Sequence, residues 1–166
     1  MKRLFFALWP DAFVREQCAK IIEGLDSGKG RPVSPDNLHV TLVFLGNVSP
    51  AKEAEFRDGA AAIQIPKITI YFDQLSFWKK PGILCLTTTK PDQGLVALVN
   101  SLNGLTKKLA VTLDERTYLP HVTLIRKVDR IADFNFETVI WQSTSFCLVE
   151  SCTKMNRVEY RVIESW

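Results

Sequence analysis

The chain has 166 residues, of which 46% are hydrophobic and 23% are charged. These are ordinary values for a globular protein, and a chain of this length buries enough surface to fold without a disulfide or metal staple. The formal net charge of +3 favours an anionic ligand but is far below that of a protein that coats nucleic acid. We therefore expect one domain over residues 1–166, or two small lobes that share a core.

The first half of the chain predicts strand, helix, strand and helix in that order. Leu4–Trp9 is a short apolar run, typical of a strand buried on both faces. Pro10–Asp11 opens a helix whose apolar residues recur at helical spacing from Phe13 to Leu25. Asn37–Leu45 predicts the second strand, and Ser49–Pro50 caps and starts the second helix.

The second half predicts a hairpin, a third helix and further strands. Ile68–Trp78 and Ile83–Thr89 are rich in β-branched or apolar residues and flank a Lys-Lys-Pro-Gly turn, which indicates a hairpin. Pro91–Asp92 opens a helix with a leucine-rich stripe that extends to Leu109. The remaining strands are predicted at Leu119–Val128, Thr138–Cys152 and Val158–Ile163.

The two halves repeat a similar order of elements without a low-complexity linker between them. This order predicts an α+β fold that is bilobal. We expect two lobes related by a pseudo-two-fold axis, each with an antiparallel β-sheet and flanking helices, and an active-site cleft between them.

Cysteine usage and hydropathy predict the compartment. Cys18, Cys85, Cys147 and Cys152 form no C-x-x-C pair, so we expect reduced, mostly buried thiols. No apolar run approaches the roughly 20 residues of a membrane span, and the N-terminal run is too short for a signal peptide. We expect a soluble, cytoplasmic protein, and a monomer because no helix has a dimerisation pattern.

The only two histidines stand in identical four-residue words, His-Val-Thr-Leu, which begin at His39 and His121. They are 82 residues apart (121 − 39), close to half the chain. Residues i and i+2 of a strand share a face, so His39 with Thr41 and His121 with Thr123 point away from the apolar pair of each word.

Two such strands brought together make a pocket of two imidazoles and two hydroxyls. Threonine hydroxyls can donate to phosphate oxygens, and two imidazoles can move protons on the attacking and leaving oxygens near neutral pH. A single histidine on a strand is more often structural, but two copies in the same context favour catalysis. A metal site is disfavoured because Asp36, beside the first word, has no counterpart beside the second.

Paired H-x-T words in a chain of this size resemble the 2H phosphoesterase superfamily. More closely, the chain resembles the bacterial RNA 2′,3′-cyclic phosphodiesterases, or 2′-5′ RNA ligases, and the resemblance covers essentially the whole chain. The supporting stretches are Arg3–Ala7, Arg31–Val33, Asp36–Leu42, Phe44–Gly46, Pro120–Leu124, Arg126 and Trp166.

The resemblance implies hydrolysis of a 2′,3′-cyclic phosphate at an RNA end to a 2′-phosphomonoester, with no metal and no cofactor. It also implies a weak, reversible 2′-5′ ligation of RNA ends, notably tRNA halves. In such enzymes the second-motif histidine, here His121, activates water, and the first, His39, protonates the departing 3′ oxygen. Thr41 and Thr123 are expected to bind the phosphate.

Arg126 matches a family arginine five residues after the second histidine, where it can pair with phosphate or stack on a base. Strict alternation puts Arg126 on the face opposite His121, so either the strand ends or bulges after Leu124, or the side chain reaches round an edge. A solvated surface arginine is the alternative. Phe5 or Phe6 could floor the cleft, and we name Phe5 as the candidate.

Two other functions remain open. The chain could act on small cyclic nucleotides or 2′-5′ oligonucleotides, which the size and charge of the cleft would decide. It could also be a module that binds RNA ends without turnover, although binding alone does not require two titratable groups. Basic residues that could line an RNA path, or be merely solvated, are Lys29, Lys79, Lys80, Lys107, Lys108, Arg126, Lys127 and Arg130.

Overall fold

A computed structural model describes residues 1–26, 28–111, 117–129, 133–154 and 157–166. The helices are α1 (Ala12–Gly24), α2 (Pro50–Ala61) and α3 (Gln93–Lys108). Each begins where the sequence predicts, because an Asp or Ser side chain at the N-cap accepts a backbone N–H of the first turn. None of the described helices combines the length and the apolar composition that crossing a bilayer requires.

Seven strands form one continuous antiparallel path, β10-β9-β1-β3-β7-β6-β5, with β2 paired to β7, and β4 pairs with β8 in a separate two-stranded sheet. The α+β fold class with antiparallel sheets is thus confirmed. The strands are β1 (Lys2–Leu8), β2 (Arg31–Pro32), β3 (Val40–Val48), β4 (Ile68–Phe72), β5 (Gln74–Trp78), β6 (Ile83–Thr87), β7 (His121–Arg126), β8 (Val139–Ser143), β9 (Cys147–Lys154) and β10 (Arg157–Ser165).

The large sheet consists of two half-sheets, β10-β9-β1-β3 and β7-β6-β5 with β2, which meet between β3 and β7. Their pairing register joins Val40 to Val122, the residues that follow the two histidines. Both valines are buried, so the neighbouring His and Thr side chains of each word face the opposite side of the sheet. The junction between the half-sheets therefore brings the two words together.

Two predicted strands are each divided in the structure. The segment 68–78 turns at Asp73, whose carboxylate accepts the backbone N–H and the hydroxyl of Thr89, so β4 and β5 enter different sheets. The segment 138–152 is broken between β8 and β9, where Ser143 Oγ donates to the Ser145 carbonyl at 2.7 Å. Side-chain hydrogen bonds of this kind compete with a continuous ladder, and apolar patterning does not reveal them.

Strand β1 is buried on both faces, as predicted. Leu4, Phe6 and Leu8 enter the main core beneath the helices. Phe5 and Ala7 point the other way, into a smaller cluster with residues of β9 and β10. This second cluster lies under the side of the sheet that carries the His-x-Thr words.

The cysteines match the sequence expectation of unpaired thiols. All four are free, and Cys18, Cys85 and Cys147 are buried. Burial raises the pKa of each of these three to about 12, so they remain protonated at neutral pH.

Candidate active site

A cleft of about 950 Å³ opens over the junction of the half-sheets. Its walls come from β1, β3, β9 and β10 on one side and from β2, β6 and β7 on the other. All six residues singled out from the sequence line it: Phe5, His39, Thr41, His121, Thr123 and Arg126.

The two imidazoles are held in the same way. The Nδ1–H of His39 donates to the carbonyl of Asn37 at 2.7 Å, and that of His121 donates to the carbonyl of Leu119 at 2.9 Å. In both cases the acceptor lies two residues before the histidine. With Nδ1 protonated, a neutral ring presents its unprotonated Nε2 as the atom that can take a proton.

Thr41 contacts the first imidazole directly. Its hydroxyl lies 3.1 Å from His39 Nε2, to which it donates when the ring is in this tautomer. The Thr41 carbonyl accepts the hydroxyl of Tyr118 at 3.1 Å, which ties β3 to the segment that leads into β7. The burial of Tyr118 raises its pKa above the usual range, so it stays a neutral donor.

A β-bulge resolves the position of Arg126. Cys85 pairs with Thr123 and Leu84 with Ile125, which leaves Leu124 unpaired. After an extra residue the alternation of faces inverts, so Arg126 returns to the face of His121 and Thr123. Of the explanations offered from the sequence, the structure has a bulge at Leu124, and Arg126 lines the cleft.

The same bulge occurs in the first motif strand. Ala7 pairs with Thr41 and Phe6 with Val43, which leaves Leu42 unpaired. Leu42 is the first-motif counterpart of the bulged residue of β7, since each stands three residues after its histidine. The bulge brings Phe44 to the cleft, where the residue is 56% exposed.

Sequence reasoning did not identify Phe44. The signal was available, because Phe44 follows His39 by five residues just as Arg126 follows His121. The two motif strands therefore present equivalent positions to the cleft, one aromatic and one cationic.

His39 stands in an aromatic cage. Trp9 stacks on its ring at 5.7 Å between centroids, Tyr160 meets it edge-on at 4.8 Å, and Phe5 lies at 5.0 Å. Burial lowers the pKa of His39 to about 4; the hydrogen bond to the Asn37 carbonyl opposes the shift, and Arg126 and His121 add to it. The first imidazole is therefore neutral in the free protein.

Among the described residues, His121 has fewer aromatic neighbours than His39. Trp78 lies 4.7 Å away between ring centroids. Burial again lowers the pKa, with Arg126 acting in the same direction and the Leu119 carbonyl opposing it. Arg126 lines the same cleft as the two histidines, and its charge lowers the pKa of both.

Phe5 and Phe6 occupy different places. Phe6 packs in the main core, whereas Phe5 lies beneath His39 and contacts Phe44 and Tyr160. Phe5 is only 2% exposed, so its ring supports the imidazole and offers little surface to a ligand. The ring with a free face in this cluster is that of Phe44.

Asn37 connects the first motif to the C-terminal strand. Its side-chain amide donates to the Val158 carbonyl at 2.9 Å and accepts the Tyr160 N–H at 3.2 Å. One residue therefore fixes both the acceptor of His39 Nδ1–H and the strand that carries Tyr160. These partners are over 120 residues apart in the chain, so no local pattern indicated them.

Within the described ranges, no three His, Cys, Asp or Glu side chains converge as a metal site requires. The polar groups that do converge are imidazoles, hydroxyls, an amide, guanidinium groups and the ammonium group of Lys127. Such a set can shift protons and bind an anion at the same point. The fold and this paired His-x-Thr arrangement define a phosphoesterase of the 2H class.

Comparison with known proteins places the chain within that class. The LigT like Phosphoesterase family matches residues 8–85. The RNA 2′,3′-cyclic phosphodiesterase of Escherichia coli strain K12 is 32% identical, over 99% of this chain and 96% of the relative. That of Archaeoglobus fulgidus is 31% identical, over 79% of this chain and 77% of the relative.

Solved structures agree with the sequence comparisons. A crystal structure of E. coli LigT complexed with 3′-AMP superposes with a TM-score of 0.91 at 31% identity, covering 99% of this chain and 97% of that one. A second crystal structure, described as a phosphoesterase, gives a TM-score of 0.92 at 31% identity with the same coverage. The chain belongs to the LigT-like phosphoesterases of the 2H superfamily.

Proposed function

We propose that this chain hydrolyses the 2′,3′-cyclic phosphate at an RNA end to a 2′-phosphomonoester, without a metal cofactor. The observation that carries the proposal is the convergence of His39, Thr41, His121 and Thr123 on one cleft. The relatives named as RNA 2′,3′-cyclic phosphodiesterases support the substrate class. We further propose that residues 1–166 act as a single bilobal domain.

In the proposed reaction, His121 Nε2 takes a proton from water as the water oxygen bonds to phosphorus. The bond from phosphorus to the 3′ oxygen breaks, and that oxygen takes a proton from His39 Nε2. One water is consumed, and the two imidazoles exchange protonation states, which solvent then resets. His39 is neutral in the free protein, so it must gain its proton as the anionic phosphate binds beside it and raises its pKa.

The other groups of the cleft bind the substrate. The hydroxyls of Thr41 and Thr123 donate to the non-bridging oxygens, and the Arg126 guanidinium neutralises the charge that develops there. The exposed ring of Phe44 provides a face on which the terminal base can stack. Phe5 lies beneath His39 and supports its imidazole from the floor of the cleft.

A 5′-hydroxyl can replace water as the nucleophile in the same geometry. Attack by the 5′-hydroxyl of a second RNA on the cyclic phosphate would form a 2′-5′ linkage, and the reverse step would cleave it. We propose this reversible ligation as a secondary activity, with tRNA halves as candidate substrates of a cytoplasmic monomer.

The decisive experiment is hydrolysis of a short RNA that ends in a 2′,3′-cyclic phosphate, with EDTA present and the 2′- and 3′-phosphate products resolved. The proposal expects turnover in EDTA and a 2′-phosphate product, which requires that the 3′ oxygen leave. Loss of turnover in EDTA that added metal restores would contradict metal independence. A 3′-phosphate product would reverse the assignment of the leaving oxygen.

A second candidate is a phosphodiesterase of small cyclic nucleotides or 2′-5′ oligonucleotides. The observation in its favour is that E. coli LigT has been crystallised with a mononucleotide, 3′-AMP. Equal kcat/KM for adenosine 2′,3′-cyclic phosphate and for the RNA would support it. A non-catalytic module that binds RNA ends is a third candidate, which a wild-type protein that binds RNA ends tightly without turnover would favour.

A further inference from the structure

The two sides of the cleft differ in charge. The β2–β7 side carries Arg31, Arg126 and Lys127, and the adjacent β5–β6 turn carries Lys79 and Lys80. All five side chains are exposed. We call these five residues the basic rim. Arg130, another basic candidate from the sequence, lies outside the described residues.

Strand pairing brings the basic rim together from three separate stretches of the chain. Arg126 pairs with Arg31 on one side and with Ile83 on the other. The Val128 N–H donates to the Gly82 carbonyl at 3.0 Å, which holds the turn that carries Lys79 and Lys80 against the segment after β7.

The turn depends on a glycine at its contact with this segment. Gly82 has φ +76°, and a Cβ there would lie 3.3 Å from the Val128 carbonyl oxygen. The two lysines therefore stand on a turn that is fixed to the rim of the cleft.

The charge of the basic rim is poorly compensated. The nearest exposed acidic residue along the chain is Asp129, two positions after Lys127. The ion pairs found among the described residues use other cations: Lys2, Arg15, Lys20, Lys52, Arg57 and Arg161. A cluster of exposed, unpaired cations beside a cleft attracts a polyanion and draws it toward that cleft.

The opposite side of the cleft has a different character. Phe44, Ser151, Val158 and Tyr160 line it, with Arg3 as its cation. This side offers aromatic and neutral surface, which suits a base and its ribose rather than a run of phosphates. The two sides of the cleft thus offer different surfaces, one aromatic and neutral and the other basic.

We propose that the basic rim binds the sugar–phosphate backbone of single-stranded RNA upstream of its reactive end. The strand leaves the cleft over β2 and β7 and passes the β5–β6 turn, where Lys79, Lys80 and Lys127 bind its phosphates. This inference rests on the proposed RNA-end activity and extends it: the protein holds several nucleotides of an oligonucleotide, not the terminal nucleotide alone.

The test measures binding separately from turnover. Fluorescence anisotropy is recorded with labelled oligoadenylates of two, six and twelve nucleotides that end in a 3′-phosphate, which the proposed reaction does not consume. Affinity is expected to rise with length. With about three phosphates bound, the logarithm of the twelve-mer binding constant falls against the logarithm of salt concentration with a slope of about −2.

A matched pair of variants locates the surface. Lys79→Gln with Lys80→Gln is expected to weaken twelve-mer binding roughly three- to tenfold and to reduce the salt slope by about 1, with little effect on the two-mer. Lys107→Gln with Lys108→Gln removes the same charge from the exposed end of α3, away from the cleft, and should leave both affinities unchanged.

The inference is overturned if the twelve-mer binds no more tightly than the two-mer, or if both double variants weaken it equally. Wild-type hydrolysis of the cyclic-phosphate RNA is measured in parallel and reports only on the proposed function. If binding depends on length and on Lys79 and Lys80 but no hydrolysis occurs, the RNA-binding surface is supported and the proposed hydrolytic function is contradicted. If hydrolysis occurs but binding does not depend on length, the proposed function is supported and the RNA-binding surface is contradicted.

Discussion

The two motif strands, β3 and β7, have nearly the same backbone and different surroundings. Each carries His-Val-Thr-Leu, each has its fourth motif residue in a bulge, and each directs its imidazole Nδ1–H to a carbonyl two residues upstream. The position five residues after the histidine is aromatic on β3 and cationic on β7. A repeated backbone thus fixes where the groups stand, and the residues that differ decide what each side binds.

The surroundings also separate the two imidazoles energetically. His39 is enclosed by Phe5, Trp9 and Tyr160, and its pKa is lowered to about 4. His121 packs on Trp78, and its pKa is lowered in the same direction. Equivalent backbone positions therefore hold two proton carriers in different surroundings, and the proposed acid, His39, is the one that must gain a proton when the anionic substrate binds.

Replacing either histidine should have the largest effect. His39→Ala and His121→Ala are each expected to lower kcat roughly 10²–10⁴-fold, because each removes one of the two proton carriers. Circular dichroism and thermal unfolding check that the fold is intact. The double variant should be little slower than the worse single variant, since the two act as a unit. Full activity in either single variant would show that the two words share a backbone geometry but that their histidines do not both transfer protons.

Arg126→Ala tests the cationic member of the equivalent pair. A hydrogen bond to a charged group contributes about 1.5–3 kcal/mol, so kcat/KM should fall roughly 10- to 100-fold. The reaction needs one histidine charged and the other neutral, so the pH–rate profile should be bell-shaped. The Arg126 charge lowers the pKa of both histidines, so its removal should move this profile to higher pH. An unchanged pH–rate profile together with an unchanged rate would show that Arg126 is a solvated surface arginine with no role in the reaction.

Phe44→Ala tests the aromatic member. Loss of a stacked base costs about 1–3 kcal/mol, so KM should rise roughly 5- to 100-fold with little change in kcat. Phe44→Tyr should restore binding because it keeps the ring. A ribose 2′,3′-cyclic phosphate that lacks a base should be turned over equally by wild type and Phe44→Ala. If Phe44→Ala also slows turnover of that substrate, Phe44 stabilises strand β3 and does not act by stacking on the base.

Local sequence signals were sufficient for the helices and for the four polar residues of the paired words, whereas Arg126 was named from the family resemblance and Phe5 as one of two candidates. The N-cap side chains and apolar spacing located the start of each helix, and a scarce residue type repeated in one context located the paired words. Phe44 was missed because strict alternation was applied without the bulge. A bulge is set by register with a neighbouring strand, here β1 and β6, and that register is not encoded within the motif itself.

The features that were not predicted all depend on long-range contacts. The turn at Asp73, which separates β4 from β5, depends on a hydrogen bond with Thr89. The short strand β2 forms because Arg31 and Pro32 pair with β7. The predicted strand at Asn37–Leu45 begins later, at Val40, because Pro35–Asn37 forms a 3₁₀ turn held to β10. Residues before a motif are placed by their distant partners, which apolar periodicity does not report.

Stability should respond to pH through His39. The folded protein keeps His39 neutral down to about pH 4, whereas the unfolded chain takes up a proton near pH 6.5. The unfolded state therefore binds more protons between these values, and stability falls as the pH drops from about 6.5 to 4. At pH 5 the loss reaches up to about 2 kcal/mol. Urea unfolding of wild type and His39→Gln at pH 7 and pH 5 measures it; equal pH dependence would contradict the assignment.

The smallest expected effect is that of Asn37→Ala, which separates positioning from stability. The substitution removes two hydrogen bonds to β10, and the carbonyl that accepts His39 Nδ1–H is then held less firmly. We expect kcat to fall roughly three- to tenfold with KM unchanged, below the loss that full misplacement of a catalytic group causes. That hydrogen bond raises the pKa of His39, so the limb of the pH–rate profile that reports the titration of His39 should move to lower pH.

Glu164→Gln is the matched control for Asn37→Ala. Glu164 pairs with Arg57 at 2.9 Å and also anchors β10, but it lies outside the cleft lining. Both variants should loosen β10, so both should lower the unfolding midpoint. Only Asn37→Ala should change kcat and the limb of the pH–rate profile that reports His39, because only Asn37 also holds the imidazole. If Glu164→Gln lowers kcat to the same extent, anchoring of β10 as a whole positions His39, and Asn37 has no separate role.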